Sequence, residues 1–305
     1  MRVFLTGATG FVGINTAKRL ISEGHEVVAF VRNRQAAEEL LGRRVEIVVG
    51  SIEDTDAIVE GLNGCDTVIH IAGQIKAHNL NSLYNTNRIG SRNVAIASRR
   101  LGIKSIVYVS SLAARGPDGA GGVVSHYGYS KRLGELEFIH NLFDTNLKII
   151  RPPIVYGPYD RGMLELFKMA KLGILPRMDK YYSLIFIDDL VSSVVELAKR
   201  DSNAPEVYCI SSGVYHCRDI NEALLKASGR KRALYLPLND KIAMLGLLFS
   251  TSRSPFSRDK IREIRPRAWT CDPEKLNKEI KFRPTIDIFT GFDITFRWYE
   301  EHGWI

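Results

Sequence analysis

In the stretch "SHYGYSKRLGE", Tyr127 and Lys131 stand four residues apart, so on a helix they share one face. A free tyrosine hydroxyl titrates near pH 10, too high for easy proton transfer at neutral pH. A nearby ammonium favours the phenolate and lowers that value, making the hydroxyl a usable acid or base. Tyr129 has no lysine at the matching position. Sixteen residues before Tyr127, "VYVSSLAARG" ends an apolar run with Ser110 and Ser111. A serine hydroxyl there would hold a substrate carbonyl beside Tyr127.

A second chemistry-bearing stretch opens the chain. "TGATGFVG" sets Gly7, Gly10 and Gly13 between an apolar run and a helical pattern. Gly7 permits a tight turn, Gly10 lets the backbone approach a pyrophosphate, and Gly13 allows close packing of helix on strand. The free N–H groups of the helix start then face a phosphate. Where nicotinamide-binding folds carry an acidic residue after the second strand, this chain has "FVRNR", with Arg32 and Arg34. Arginine cannot accept from a ribose 2′-hydroxyl, but it pairs well with a 2′-phosphate. NADP(H) is favoured on that ground over NAD(H), which is left open.

The elements that must position these groups follow from pattern. Strands are expected at residues 2–6, 26–31, 45–50, 67–72, 105–110 and 147–152, with helices at 12–23, 35–41, 55–62, 80–101 and 127–141. Continuous apolar strands alternating with helices predict a parallel sheet covered on both faces. The fold class is therefore α/β: a Rossmann-type, doubly wound parallel sheet with a smaller, mostly helical C-terminal substrate lobe. Residues 1–152 would form the dinucleotide-binding half and 153–305 the lobe, with a strand at about 206–212 returning to the first half. "RPPIVYGPYD" reads as loop. Asp188 and Asp189 read as helix-starting carboxylates, and His70 as a satisfied core histidine.

The 305 residues carry a net charge of +8, 45% hydrophobic and 25% charged residues. Those are values of a globular protein, and no apolar run approaches the length of a membrane span. The four scattered cysteines point to reduced thiols in a cytoplasmic protein. Seven histidines without metal-ligand spacing give no metal site. An apolar run at 242–249, followed by six basic residues up to Arg267, reads as a helix over the substrate pocket and a solvated basic loop. Contact of 242–267 with an anionic membrane surface is the alternative.

Glycine turn, serine pair and Tyr-x-x-x-Lys occur here in the order of a known superfamily. With "GSIEDTDAIVEGLNGCDTVIHIAG", "NTNRIGSRNV", "RPPIVYGPYD" and "FIDDLV", the chain resembles an extended short-chain dehydrogenase/reductase. Among these NAD-dependent epimerases, dehydratases and reductases, its motifs stand nearest the dihydroflavonol reductase and 3β-hydroxysteroid dehydrogenase branch. The resemblance implies Ser111, Tyr127 and Lys131 as the catalytic trio, with Tyr127 and Lys131 also at the cofactor. It implies further cofactor contacts at Gly7, Thr9, Gly10, Phe11, Val12, Gly13, Arg32, Arg34, Ser51, Ile52, Ala72, Pro152 and Ile154. Three positions depart from the pattern: Ser51 replaces an aspartate, Arg115 an aromatic residue, and Ile154 the asparagine of sugar epimerases. Losing that amide argues against a nucleotide-sugar. The implied activity is NADP(H)-dependent interconversion of a ketone and a secondary alcohol. A nucleotide-sugar epimerase or dehydratase is the alternative, and a non-catalytic sensor or nucleic-acid scaffold ranks third. The partner expected is a small carbonyl or alcohol substrate rather than nucleic acid, with homodimer pairing through helices 80–101 and 127–141.

Overall fold

The computed structural model describes residues 1–75, 79–119, 121–237 and 256–305. The chain begins β1 (Arg2–Thr6), α1 (Phe11–Ser22), β2 (Glu26–Val31), α2 (Arg34–Leu41), β3 (Glu46–Val49), α3 (Thr55–Leu62) and β4 (Thr67–His70). It continues through α4 (Leu80–Tyr84), a π turn (Asn85–Ile89), α5 (Gly90–Arg100), β5 (Ser105–Val109), α6 (His126–Asn141) and β6 (Asn146–Arg151). The lobe follows with β7 (Ile154–Tyr156), α7 (Leu164–Leu172), β8 (Ile174–Arg177), β9 (Tyr181–Phe186) and α8 (Ile187–Lys199). Next come β10 (Glu206–Cys209), β11 (Gly213–His216), α9 (Cys217–Ala227) and β12 (Leu234–Pro237). The chain closes with α10 (Phe256–Ile264), β13 (Ala268–Trp269), α11 (Glu274–Ile280) and α12 (Ile288–Glu301).

Seven parallel strands form the main sheet in the order β10-β6-β5-β4-β1-β2-β3. The order reverses direction between β1 and β4, which opens a crevice beyond the carboxyl ends of those two strands. Alternation along β1 divides the core. Val3 and Leu5 pack with Ile14, Leu20 and Leu190 on one face, while Phe4 packs with Ile58, Val94 and Phe138 on the other. Both faces are covered, as uninterrupted apolar strands require.

The lobe has its own core around Tyr156, Phe167, Phe186, Phe292 and Tyr299. Besides helices it carries a four-stranded sheet, β11-β9-β13 with β7 also on β9, and the pair β12-β8. Residues 154–156, expected as loop, are thus strand: Ile154 to Tyr156 run parallel to Leu184 to Phe186. Asp188 and Asp189 do lie in the first turn of α8. Asp189 also accepts from Thr285 N at 3.0 Å and Thr285 Oγ1 at 2.6 Å, fastening the last segment to the lobe. The 242–249 run lies outside the described residues, and part of the expected basic loop is helix α10.

Candidate active site

The carboxyl ends of the strands bring the predicted residues to one edge of the sheet. After β1, Gly7 has φ +72°, and a Cβ there would lie 2.7 Å from Ala72 N. A Cβ on Gly13 would stand 2.0 Å from Gly7 O. These two contacts are why the turn and the start of α1 can press against β1 and the end of β4. Gly10 N donates to Gly7 O at 2.9 Å, and Gly10 caps α1 without any side-chain bond. A Cβ on Gly10 would meet only Gly7 O, at 3.3 Å. The uncapped end, with Thr9 before it and Phe11, Val12 and Gly13 opening the helix, is therefore an open cradle of N–H donors that fits a pyrophosphate.

Around this cradle the other candidates take their places. Arg32 is exposed just past β2. Arg34 opens α2 and is partly engaged, donating to Ile47 O at 2.9 Å and facing Glu38 at 3.9 Å. Ser51 follows β3, its hydroxyl accepting from Glu53 N at 3.2 Å. Ile52 O accepts from Asn93 Nδ2 at 3.0 Å. Ala72 N donates to Thr6 Oγ1 at 3.2 Å, and Pro152 O accepts from Leu112 N at 2.8 Å. Ile154 begins β7.

The structure separates the two serines. Buried Ser110 donates to Glu135 Oε1 at 2.6 Å. Half-buried Ser111 caps the short 3₁₀ turn at 112–114, accepting from Ala113 N at 3.2 Å, and its hydroxyl is near enough to Tyr127 to favour the phenolate. Glu135 is fully buried and gripped by Arg151, Nε to Oε1 at 2.8 Å and Nη2 to Oε2 at 2.6 Å. A forked guanidinium on a buried carboxylate fixes orientation strongly, so β6 holds α6, and with it Tyr127 and Lys131, against the end of β5.

One electrostatic expectation is corrected here. Against the expectation that Lys131 draws Tyr127 down, burial pushes the Tyr127 hydroxyl up to about 12, with the nearby Ser111 hydroxyl opposing. Lys131 has other partners: its ammonium donates to Val109 O at 2.9 Å and lies 4.4 Å from the Tyr108 ring centre. Burial pushes Lys131 itself down to about 7, with Glu135 opposing. Desolvation disfavours the charged form of both groups.

Sequence reasoning missed Asn87, in the π turn that interrupts the single helix expected over 80–101. Its Oδ1 accepts from Gln74 N at 2.7 Å, and its Nδ2 donates to Gln74 O and Ser130 Oγ, both at 2.8 Å. A Cβ added to Gly73 would lie 3.2 Å from Asn87 Oδ1 and 3.6 Å from Lys131 Nζ. Asn87 thus links the chain after β4 to the helix carrying Lys131, and π turns of this kind recur at functional sites. The usable signal was "NTNRIGSRNV", whose glycine and polar residues break an amphipathic pattern. His70 is buried as expected, 2.7 Å from Thr6 Oγ1 through Nδ1 and 3.2 Å from Ser91 Oγ through Nε2.

Three comparisons bear on this arrangement. The sequence profile of the NAD dependent epimerase/dehydratase family matches residues 3–211. A ceramide reductase of Caulobacter vibrioides is 29% identical over 99% of this chain and 96% of its own length. A 2-alkyl-3-oxoalkanoate reductase of Shewanella oneidensis is 30% identical over 61% of this chain and 54% of its own. Among solved structures, a UDP-glucose 4-epimerase from Thermotoga maritima superposes with a TM-score of 0.79 at 20% identity, covering 99% of both chains. That last likeness speaks for the fold.

Proposed function

The chain belongs to the NAD dependent epimerase/dehydratase family, and from that premise we propose that it is an NADP(H)-dependent reductase of a ketone that bears alkyl chains. A bound nicotinamide dinucleotide supplies the hydride. The rest of the work falls to the chain's own residues. Tyr127 gives its hydroxyl proton to the substrate oxygen as charge develops on it. Ser111, near the same hydroxyl, orients that oxygen. Lys131, one helical turn away with its ammonium on Val109 O, would hold the dinucleotide's ribose.

The carrying observation is the placement of Tyr127 close to Ser111, on a helix anchored by a buried Glu135–Arg151 pair. Similarity to proteins named ceramide reductase and 2-alkyl-3-oxoalkanoate reductase supports the substrate class, as does Ile154 in place of a sugar-binding amide. Arg32 supports the choice of NADP(H).

The test is steady-state oxidation of NADPH with 2-alkyl-3-oxoalkanoates and 3-oxo-lipids. Tyr127→Phe is expected to lower kcat roughly a hundred- to ten-thousand-fold, while dinucleotide affinity changes less than about threefold. A Phe variant with wild-type kcat sinks the assignment. A second reading, epimerisation or dehydration of a nucleotide-sugar, draws on the same trio and on the family itself. It is told apart by turnover without net consumption of the dinucleotide.

A further inference from the structure

Ser111 and Tyr127 sit at the two ends of one loop, and both ends of that loop are held by the C-terminal lobe. Near the Ser111 end, Arg115 Nη2 donates to Thr270 O at 2.6 Å and to Asp118 Oδ1 at 2.6 Å. Asp118 N donates to Ala268 O at 3.1 Å, and the Asp118 carboxylate accepts from Thr270 N at 3.2 Å and from the Thr270 hydroxyl.

At the Tyr127 end, His126 N donates to Asp259 Oδ2 at 2.6 Å across 133 residues of sequence. Asp259 is only 6% exposed, and Arg262 Nη1 lies 3.6 Å from its other oxygen. His126 N is one of the donors a helix cannot satisfy internally. Ser125 caps α6 through Gly128 N at 3.0 Å, which leaves the first donor to Asp259. A carboxylate on a helix N-terminus is favoured by the dipole as well as the bond. Glu263, four residues on and on the same face of α10, acts on Tyr127, where its charge favours the protonated hydroxyl. The segment itself is anchored: Trp269 Nε1 donates to Glu263 O at 2.7 Å, and Tyr181 N donates to Arg267 O at 2.9 Å.

We propose that residues 259–270 form a clasp in which Asp259 and Arg115 are positioning residues, setting Ser111 against Tyr127. This rests on the reductase reading for its catalytic consequence, though not for its geometry. It also gives Arg115, which departs from the family pattern, a definite task. The lobe that meets the substrate thereby governs the alignment of the groups that act on it.

The test compares Asp259→Ala and Asp259→Asn in the full chain. Asparagine keeps an oxygen that can accept from His126 N; alanine does not. Asp259→Ala is expected to speed hydrogen exchange at the His126 amide at least about tenfold, the scale of losing a charge-assisted bond. It should lower kcat about tenfold with 2-alkyl-3-oxoalkanoates, while the NADPH Kd stays within about twofold. Asp259→Asn should recover at least half of wild-type kcat. Unchanged exchange at His126 overturns the clasp, and so does faster exchange with unchanged kcat. Weakened NADPH binding would mark general damage to the fold and overturn it too. If the wild type turns over none of these substrates, the reductase reading fails, while the exchange measurement still decides the clasp.

Discussion

Single residues carry two measurable commitments. Arg32 is exposed beside the expected adenosine ribose, whereas Arg34 is partly taken up by Ile47 O and Glu38. Arg32→Ala is therefore the informative variant. A charged hydrogen bond contributes about 1.5–3 kcal/mol, so NADPH should weaken roughly 10- to 100-fold with NADH unchanged. Calorimetric titration checks it, and equal loss for both dinucleotides would contradict a 2′-phosphate contact. His70 makes the second commitment. Burial first, then the charge of Lys131, pushes it down to about 3 from an ordinary 6.5. Between those values the unfolded chain binds a proton that the folded chain refuses, so stability is lost as pH falls through that window. Asp160, pushed up to about 6 by burial, works in the opposite sense. The contribution of His70 is isolated by comparing denaturant unfolding of wild type and His70→Gln from pH 7 to 4. The wild type should lose up to about 1.4 kcal/mol per pH unit more than the variant. Parallel curves would remove the argument.

Elements show how far local pattern reaches. Every strand of the main sheet and the strand–turn–helix start could be read from sequence, because β-branched runs and glycine spacing are local signals. His70 was legible as a core residue for the same reason. The lobe's small sheets were not, since β7 has three residues and β13 two, each strand because of partners far along the chain. The Asp259–His126 and Arg115–Thr270 bonds span more than a hundred residues and leave no local trace. The pKa of Tyr127 escaped similarly: spacing placed Lys131 on its face, but only packing shows that the ammonium turns to Val109 O and that burial sets the shift. Gly13 offers a prediction at this scale. Alanine favours a helix by about 1 kcal/mol, yet its Cβ would collide with Gly7 O. Overpacking of about 1–3 kcal/mol should win. Gly13→Ala is expected to melt several degrees lower and to bind dinucleotide more weakly; an unchanged melt would deny the close approach.

At the scale of the whole molecule, α5 and α6 pack side by side across the main sheet. They still expose Ile96 at 37%, Tyr129 at 52% and Leu136 at 45%. We propose that a second copy covers this face in a symmetric four-helix contact, in which each copy presents the same patch. Light scattering behind size exclusion should give a dimer for wild type and a monomer for Leu136→Arg. A monomeric wild type, or a dimeric variant, would retire the proposal. Among the described residues no helix is long and apolar enough to cross a membrane.

The return of β10 to the main sheet has a consequence for how the protein is made. β6 ends at Arg151, but its outer neighbour begins only at Glu206. On a ribosome the whole nucleotide-binding edge is synthesised before the strand that closes it. For that interval β6 offers an open row of N–H and C=O groups to any other nascent chain, the hazard every unprotected strand edge carries. The interleaving that joins the two halves in the finished protein therefore delays its safety until about two thirds of the chain has emerged, and translation pauses before Cys209 are where chaperone dependence should concentrate.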